Sequence, residues 1–115
     1  RAGGELLRAA EPYERVRRGD APVPAEIQVL RLGDVALVGI PGEPFCAMGL
    51  DLKHNAAAPR TLCVGYTNDY LGYIAPPSAW ERGGYEVSLG TWSIVGAEAM
   101  EKMLETAKRL VKSSL

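Results

Sequence analysis

The chain has 115 residues, of which 47% are hydrophobic and 23% are charged. This size and composition are typical of one soluble globular domain, and they exclude a disordered tail, a collagen-like repeat and a disulfide-dense miniprotein. The net charge of -1 gives no long-range attraction to nucleic acid or to an anionic membrane, so we expect no nucleic-acid partner. No apolar run approaches the roughly 20 residues that a membrane helix needs, and we expect no membrane span.

The first half of the sequence predicts a β-hairpin. Residues 5–18 have helical composition, interrupted by a proline, which predicts the remnant of a helix. After them, two apolar runs at residues 27–32 and 35–40 meet across Gly33-Asp34, a pattern that favours a hairpin. The second run is apolar on both faces, so we expect a central strand that is covered on both sides.

A β-α-β unit follows the hairpin. The second run ends at Pro41-Gly42, and residues 45–55 carry apolar side chains at helical spacing, with Pro44 suited to the first helical turn. Residues 61–66 form the next apolar stretch. Because a helix separates this stretch from the run at 35–40, we expect the two strands to be parallel.

A long polar segment and a helix complete the predicted fold. Residues 67–91 are polar, aromatic and rich in Gly and Pro, which predicts a long functional loop. From about Ser93 to Lys112 an apolar stripe indicates an amphipathic helix, with acidic residues early and basic residues late. The stripe comprises Ala97, Met100, Met103, Leu104, Ala107, Leu110 and Val111. The predicted class is α/β, with a mixed sheet, a β-hairpin, one β-α-β unit, the loop and this helix, as part of a domain.

The cysteines and the single histidine limit the chemistry of the chain. Cys46 and Cys63 form no Cys-x-x-Cys pair and cannot hold a metal cluster by themselves; we expect both to be small buried thiols. His54 falls in the last turn of the predicted helix, where a solvated imidazole is the simple interpretation and a catalytic role is the alternative. With no second histidine, the chain alone cannot complete a typical zinc site or a Ser-His-Asp triad.

Side chains that could carry chemistry follow the two parallel strands. Glu43 follows the first strand, Tyr66 ends the second, and Tyr70, Tyr73 and Tyr85 lie in the loop after it. Ligands bind beyond the carboxyl ends of the strands in open α/β sheets, so we expect the carboxylate and the phenols to converge there. Glu43 is either an acid that the helix dipole favours, or a metal ligand or general base. The tyrosines are either amphipathic covers, or donors to an oxyanion and, beside a cation, phenolate ligands.

Three stretches of sequence together resemble a known family. They are residues 27–43, ending in Pro-Gly-Glu; residues 68–73, Asn-Asp-Tyr-Leu-Gly-Tyr; and residues 83–86, Gly-Gly-Tyr-Glu. Their order and spacing resemble the catalytic domain of the neutral/alkaline non-lysosomal ceramidases, and more closely the ceramidase-like proteins of bacteria. The likeness extends from about residue 26 to residue 110. It implies that residues 1–115 are the C-terminal portion of a single ceramidase-like domain, whose upstream part precedes Arg1.

The resemblance implies a zinc site. In the family, two histidines, the glutamate of Pro-Gly-Glu and the second tyrosine of Asn-x-Tyr-x-x-Tyr hold the metal. Carried over, Glu43 and Tyr73 become metal ligands, and the two histidines are expected upstream of Arg1. Tyr85, which follows Tyr73 by twelve residues, becomes the catalytic residue that donates a hydrogen bond to the tetrahedral oxyanion.

The implied reaction is hydrolysis of an N-acyl amide by a metal-activated water, on a small amphipathic N-acyl lipid. We expect this activity of the full-length protein and not of the 115 residues alone. The sequence departs from the ceramidases at residues 44–48 and 74–81, which weakens the case for sphingolipid specificity. Two alternatives stay open: a non-catalytic α/β module that binds a lipid or a partner, and a hydrolase of another ester or amide. The resemblance implies a secreted, periplasmic or surface-associated protein.

Overall fold

The computed structural model describes residues 21–88, 90 and 93–115, so the helix predicted over residues 5–18 lies outside the described residues. The described elements are, in chain order, β1 (Gln28–Leu32), β2 (Val35–Gly39), β3 (Glu43–Pro44), α1 (Cys46–Asn55), β4 (Arg60–Val64), β5 (Tyr73–Ile74), α2 (Pro77–Arg82), the 3-10 turn Tyr85–Val87 and α3 (Ala99–Ser113). Within this part of the chain, no helix has the length and apolar character needed to cross a membrane.

Strands β1, β2 and β4 form a mixed sheet with β2 in the centre. β1 and β2 are antiparallel, with Leu30 opposite Leu37. Gly33, in the turn between them, has a φ of 61°, a conformation that glycine adopts without a steric penalty. β2 and β4 are parallel, with Leu37 opposite Leu62, and α1 connects them. The hairpin, the central strand, the β-α-β unit and the α/β class are confirmed.

The two longer helices pack on one face of this sheet. α1 contacts β4, and α3 contacts β1, β2 and α1. Because one large apolar side chain contributes about 1.5–3 kcal/mol when it is fully buried, this layer supplies much of the stability of the fold. The stripe predicted for α3 is largely confirmed, except that Ala97 is exposed and precedes the helix. The core between sheet and helices includes Ala36, Val38, Ile40, Met48, Leu52, Met100, Met103, Leu104, Ala107 and Val111.

The opposite face of the sheet is open in the described part of the chain. Leu30 and Leu62, which flank Leu37 in the sheet, are 52% and 47% exposed, and Leu32 and Val64 are exposed as well. The prediction of a central strand covered on both sides is therefore wrong for the described residues. The reason is that α1 and α3 both lie on the other face.

The C-terminal helix begins later than predicted. α3 starts at Ala99 and not near Ser93, because the intervening residues bond to earlier parts of the chain. Ser93 forms a bridge with Gly90, and the Ile94 N–H donates to the Leu71 carbonyl at 3.1 Å. These contacts hold the segment outside the helix.

Three smaller predictions also need correction. The long loop predicted over residues 67–91 contains β5, α2 and the 3-10 turn. Pro44 lies in β3 and not in the first turn of α1, because its strand pairs with β5. Cys46 is exposed at the start of α1 and Cys63 is half-buried, so the expectation of two buried thiols is wrong. Cys63 lies on edge strand β4, where burial is incomplete.

Candidate functional site

Glu43 and Tyr73 occupy directly paired positions on two short strands. β3 and β5 are parallel, and Glu43 lies opposite Tyr73, although 30 positions separate them in the sequence. The Glu43 N–H donates to the Gly72 carbonyl at 2.8 Å, and the Phe45 N–H donates to the Ile74 carbonyl at 3.1 Å. The backbone therefore holds these two sequence-predicted residues side by side.

The turn before Glu43 depends on the close approach of two glycines. A Cβ atom on Gly42 would lie 2.4 Å from the carbonyl oxygen of Gly72, which leaves no space for a side chain. The Gly42 carbonyl also accepts a hydrogen bond from the Tyr66 N–H at 2.8 Å. The Pro-Gly turn is thus attached both to the segment before β5 and to the segment after β4.

The Tyr70 hydroxyl contacts the Glu43 side chain. Its hydroxyl donates to Oε1 of Glu43 at 2.8 Å, and its ring stacks on Tyr66 with the centroids 5.7 Å apart and the planes 7° apart. Tyr73 and Tyr85 form a second pair, edge to face, with centroids 5.9 Å apart. Both distances lie in the range of favourable aromatic pairs. The expected convergence of a carboxylate and phenols is observed, with Tyr85 attached through Tyr73.

The neighbouring phenols are held in the protonated form. Burial, followed by the hydrogen bond to Glu43, raises the pKa of Tyr70. Hydrogen bonding to Glu43 is the leading cause that raises the pKa of Tyr66. For Tyr73, burial raises the pKa first and the negative charge of Glu43 raises it further. A carboxylate and partial desolvation both disfavour a phenolate, so in this structure the three hydroxyls are hydrogen-bond donors at neutral pH.

The segment between β4 and β5 contains strained backbone. Tyr66 has a φ of 55° and Asn68 a φ of 69°. A left-handed conformation costs a residue with a side chain roughly 1–2 kcal/mol, and a bulky residue rarely adopts it. Here it accompanies the stacking of Tyr66 on Tyr70, next to Glu43. Strain of this kind concentrates at functional sites.

Ser93 is a supporting residue that the sequence reasoning missed. It is 1% exposed, and its Oγ accepts a hydrogen bond from the backbone N–H of Tyr73 at 3.4 Å. Ser93 thereby supports the backbone of β5. The sequence placed it at the start of a helix, and no local signal distinguishes such a serine from one that contacts a distant strand.

The residues near Glu43 fit part of a zinc site. A carboxylate oxygen is a zinc ligand, and a phenol can become a ligand beside a divalent cation, so Glu43 and Tyr73 on their paired strands provide two suitable oxygen donors. His54 is exposed in the last turn of α1, at the opposite end from Glu43. This position agrees with the expectation of a solvated imidazole. Across residues 21–88, 90 and 93–115, no group of three or more His, Cys, Asp or Glu side chains could hold a metal ion.

The chain is similar to a curated protein named "Neutral ceramidase" from Mycobacterium tuberculosis (strain ATCC 25618 / H37Rv), with 32% identity over 93 residues. The match covers 76% of this chain but 14% of that protein. No family model and no solved structure matches the chain. Together with the motifs that converge on Glu43, the similarity supports a ceramidase-like relationship. The chain spans only a small part of the length of that relative.

Proposed function

We propose that this chain is part of a ceramidase-like hydrolase that uses zinc to cleave an N-acyl amide bond. The observation that carries the proposal is the parallel pairing that holds Glu43 beside Tyr73, the two positions that the resemblance assigns to the metal. The similarity to a neutral ceramidase supports the reaction class.

In this proposal Glu43 and Tyr73 hold the metal from this chain, and two histidines from another part of the full-length protein complete the ligand set. When bound, zinc supplies Lewis-acid polarisation of the amide carbonyl and lowers the pKa of a water molecule. Tyr73 would bind the metal as a phenolate, because a nearby divalent cation lowers the pKa of a phenol. The backbone ladder fixes the separation of the two residues.

Tyr85 contributes to the reaction by hydrogen bonding and not by holding the metal. Its phenol donates a hydrogen bond to the carbonyl oxygen as negative charge develops there. The edge-to-face contact keeps the Tyr85 ring against the ring of Tyr73, the proposed ligand. Tyr85 is also 62% exposed, so a substrate can approach it.

The proposed substrate is a small amphipathic N-acyl lipid. The two stretches that depart from the ceramidases, residues 44–48 and 74–81, begin within β3 and β5 and continue into the helices that follow them. They therefore flank the paired strands without replacing Glu43 or Tyr73. We propose that these flanking stretches determine which N-acyl amide binds, and that the paired residues take part in the reaction.

Zinc content of the full-length protein tests the proposal. Glu43→Ala removes a ligand carboxylate, so the purified variant is expected to lose the stoichiometric zinc that elemental analysis finds in the wild type. Glu101→Ala is the matched control, because Glu101 is an exposed residue of α3 and its loss leaves the zinc in place. Wild-type zinc content in Glu43→Ala contradicts the ligand assignment.

The non-catalytic alternative predicts a different result. A binding module releases no product, whereas the proposed hydrolase releases fatty acid from an N-acyl amide and stops when a chelator removes the metal. A screen of N-acyl amides and esters against the full-length protein separates the proposed reaction from hydrolysis of another bond.

A further inference from the structure

We propose that Tyr70 is a positioning residue that orients the Glu43 carboxylate for the metal. This inference rests on the proposed function and adds to it a residue to which the resemblance gives no role. Tyr70 holds Glu43 through a direct contact, from its hydroxyl to Oε1 at 2.8 Å.

The position of the Tyr70 hydroxyl is defined by contacts on several sides. Its ring stacks nearly parallel on Tyr66, and its own N–H donates to Oδ1 of Asp69 at 2.7 Å. The next residue, Leu71, donates its N–H to the Pro41 carbonyl at 3.1 Å. This last bond attaches the Tyr70 segment to the same turn that precedes Glu43, so donor and acceptor are held by one local framework.

The contact restricts the Glu43 side chain, which the backbone pairing leaves free to rotate. The pairing of β3 with β5 fixes the main chain at Glu43, but a glutamate side chain has three further rotatable bonds and moves freely in solvent. A carboxylate has two oxygens that accept hydrogen bonds. When Tyr70 binds Oε1, it restricts these rotations, and the carboxylate would keep further lone pairs that a metal could use. Ligands of protein metal sites are commonly oriented by such outer contacts.

The test is the zinc affinity of the full-length protein, measured by competition with a chelating dye. Tyr70→Phe removes the hydroxyl and keeps the ring that stacks on Tyr66. We expect zinc binding to weaken about 10- to 100-fold, which is the usual effect of losing an orienting partner. Ser113→Ala is the control, because it also removes one hydroxyl, from the end of α3, where Oγ donates to the Leu110 carbonyl, and we expect its zinc affinity to equal that of the wild type.

A rescue variant separates positioning from a general structural effect. Replacing Tyr70 with 4-aminophenylalanine restores a hydrogen-bond donor at the place of the hydroxyl, so zinc affinity should return toward the wild-type value. A loss in Tyr70→Phe that the amine does not restore overturns the positioning role. Complete loss of zinc in Tyr70→Phe, with zinc retained in Tyr73→Phe, also overturns it, because Tyr70 would then be a ligand itself.

Failure of this inference is distinguishable from failure of the proposed function. If the wild type binds zinc, Glu43→Ala does not, and Tyr70→Phe binds as well as the wild type, the positioning role is refuted and the metal site stands. If the wild type takes up no zinc, the proposed function fails and the role of Tyr70 fails with it.

Discussion

Gly42→Ala tests whether the close contact between two glycines maintains the Glu43 site. The new Cβ would lie 2.4 Å from the Gly72 carbonyl oxygen, and reaching the 3.4 Å of ordinary van der Waals contact requires a displacement of about 1 Å. The Glu43 N–H donates to that same oxygen at 2.8 Å, so a displacement of this size along the bond would break it. The substitution therefore acts on the pairing of β3 with β5.

The expected loss of stability has two parts. Gly42 has a φ of 155°, a region that residues with side chains adopt at a cost of roughly 1–3 kcal/mol. Overpacking against rigid backbone adds about 1–3 kcal/mol. The sum is roughly 2–6 kcal/mol, a large fraction of the 5–15 kcal/mol that stabilises a typical domain.

Urea unfolding followed by circular dichroism measures this loss, and Gly49→Ala is the matched control. A Cβ on Gly49 would lie 3.7 Å from its nearest neighbour, the Cβ of Cys63, and Gly49 is inside α1. Because alanine is favoured over glycine in a helix by about 0.5–1 kcal/mol, the control should be slightly more stable than the wild type. Gly42→Ala with wild-type stability would show that the two strands separate without cost, and would refute the reasoning.

Two further predictions concern the core and the thiols. Leu52 is fully buried and Leu50 is 48% exposed on the same helix, so in urea unfolding Leu52→Ala should cost about 2–5 kcal/mol and Leu50→Ala much less; similar losses would contradict the assigned core. Burial raises the pKa of the Cys63 thiol, an effect that Lys53 partly offsets, whereas Cys46 is exposed. A thiol reagent near pH 8 should therefore modify Cys46 first, because the thiolate is the reactive form; Cys46→Ser should remove the fast phase, and its persistence would contradict this order.

The elements that the sequence predicted well are those specified by local chemistry. Gly33 and Asp34 predicted the hairpin because they are typical of tight turns, and Gly33 adopts the positive φ of this one. The strand, the Pro-Gly turn and the helix followed from periodicity, and the parallel pairing followed from the helix between the strands. The rule that ligands bind beyond the carboxyl ends of parallel strands predicted that Glu43 and the tyrosines would meet.

The features that were missed depend on distant contacts. Nothing local shows that the Tyr70 hydroxyl reaches Glu43, since the contacts of the four phenols depend on how β5 pairs with β3. α3 begins late because Ser93 and Ile94 bond to segments far away in the sequence. The apolar residues of β2 likewise do not show whether a second layer covers the sheet face that carries Leu37.

The pairing of Glu43 with Tyr73 has a consequence for how such a site could change during evolution. Main-chain hydrogen bonds set the register of β3 and β5, and these bonds do not depend on which side chains the two positions carry. Substitution of either side chain could therefore change or remove the metal preference while the fold stays the same. Gly42 in the turn has no such freedom, because a side chain there would collide with the Gly72 carbonyl. Evolutionary change at this site should therefore alter the two side chains before it alters the backbone pairing.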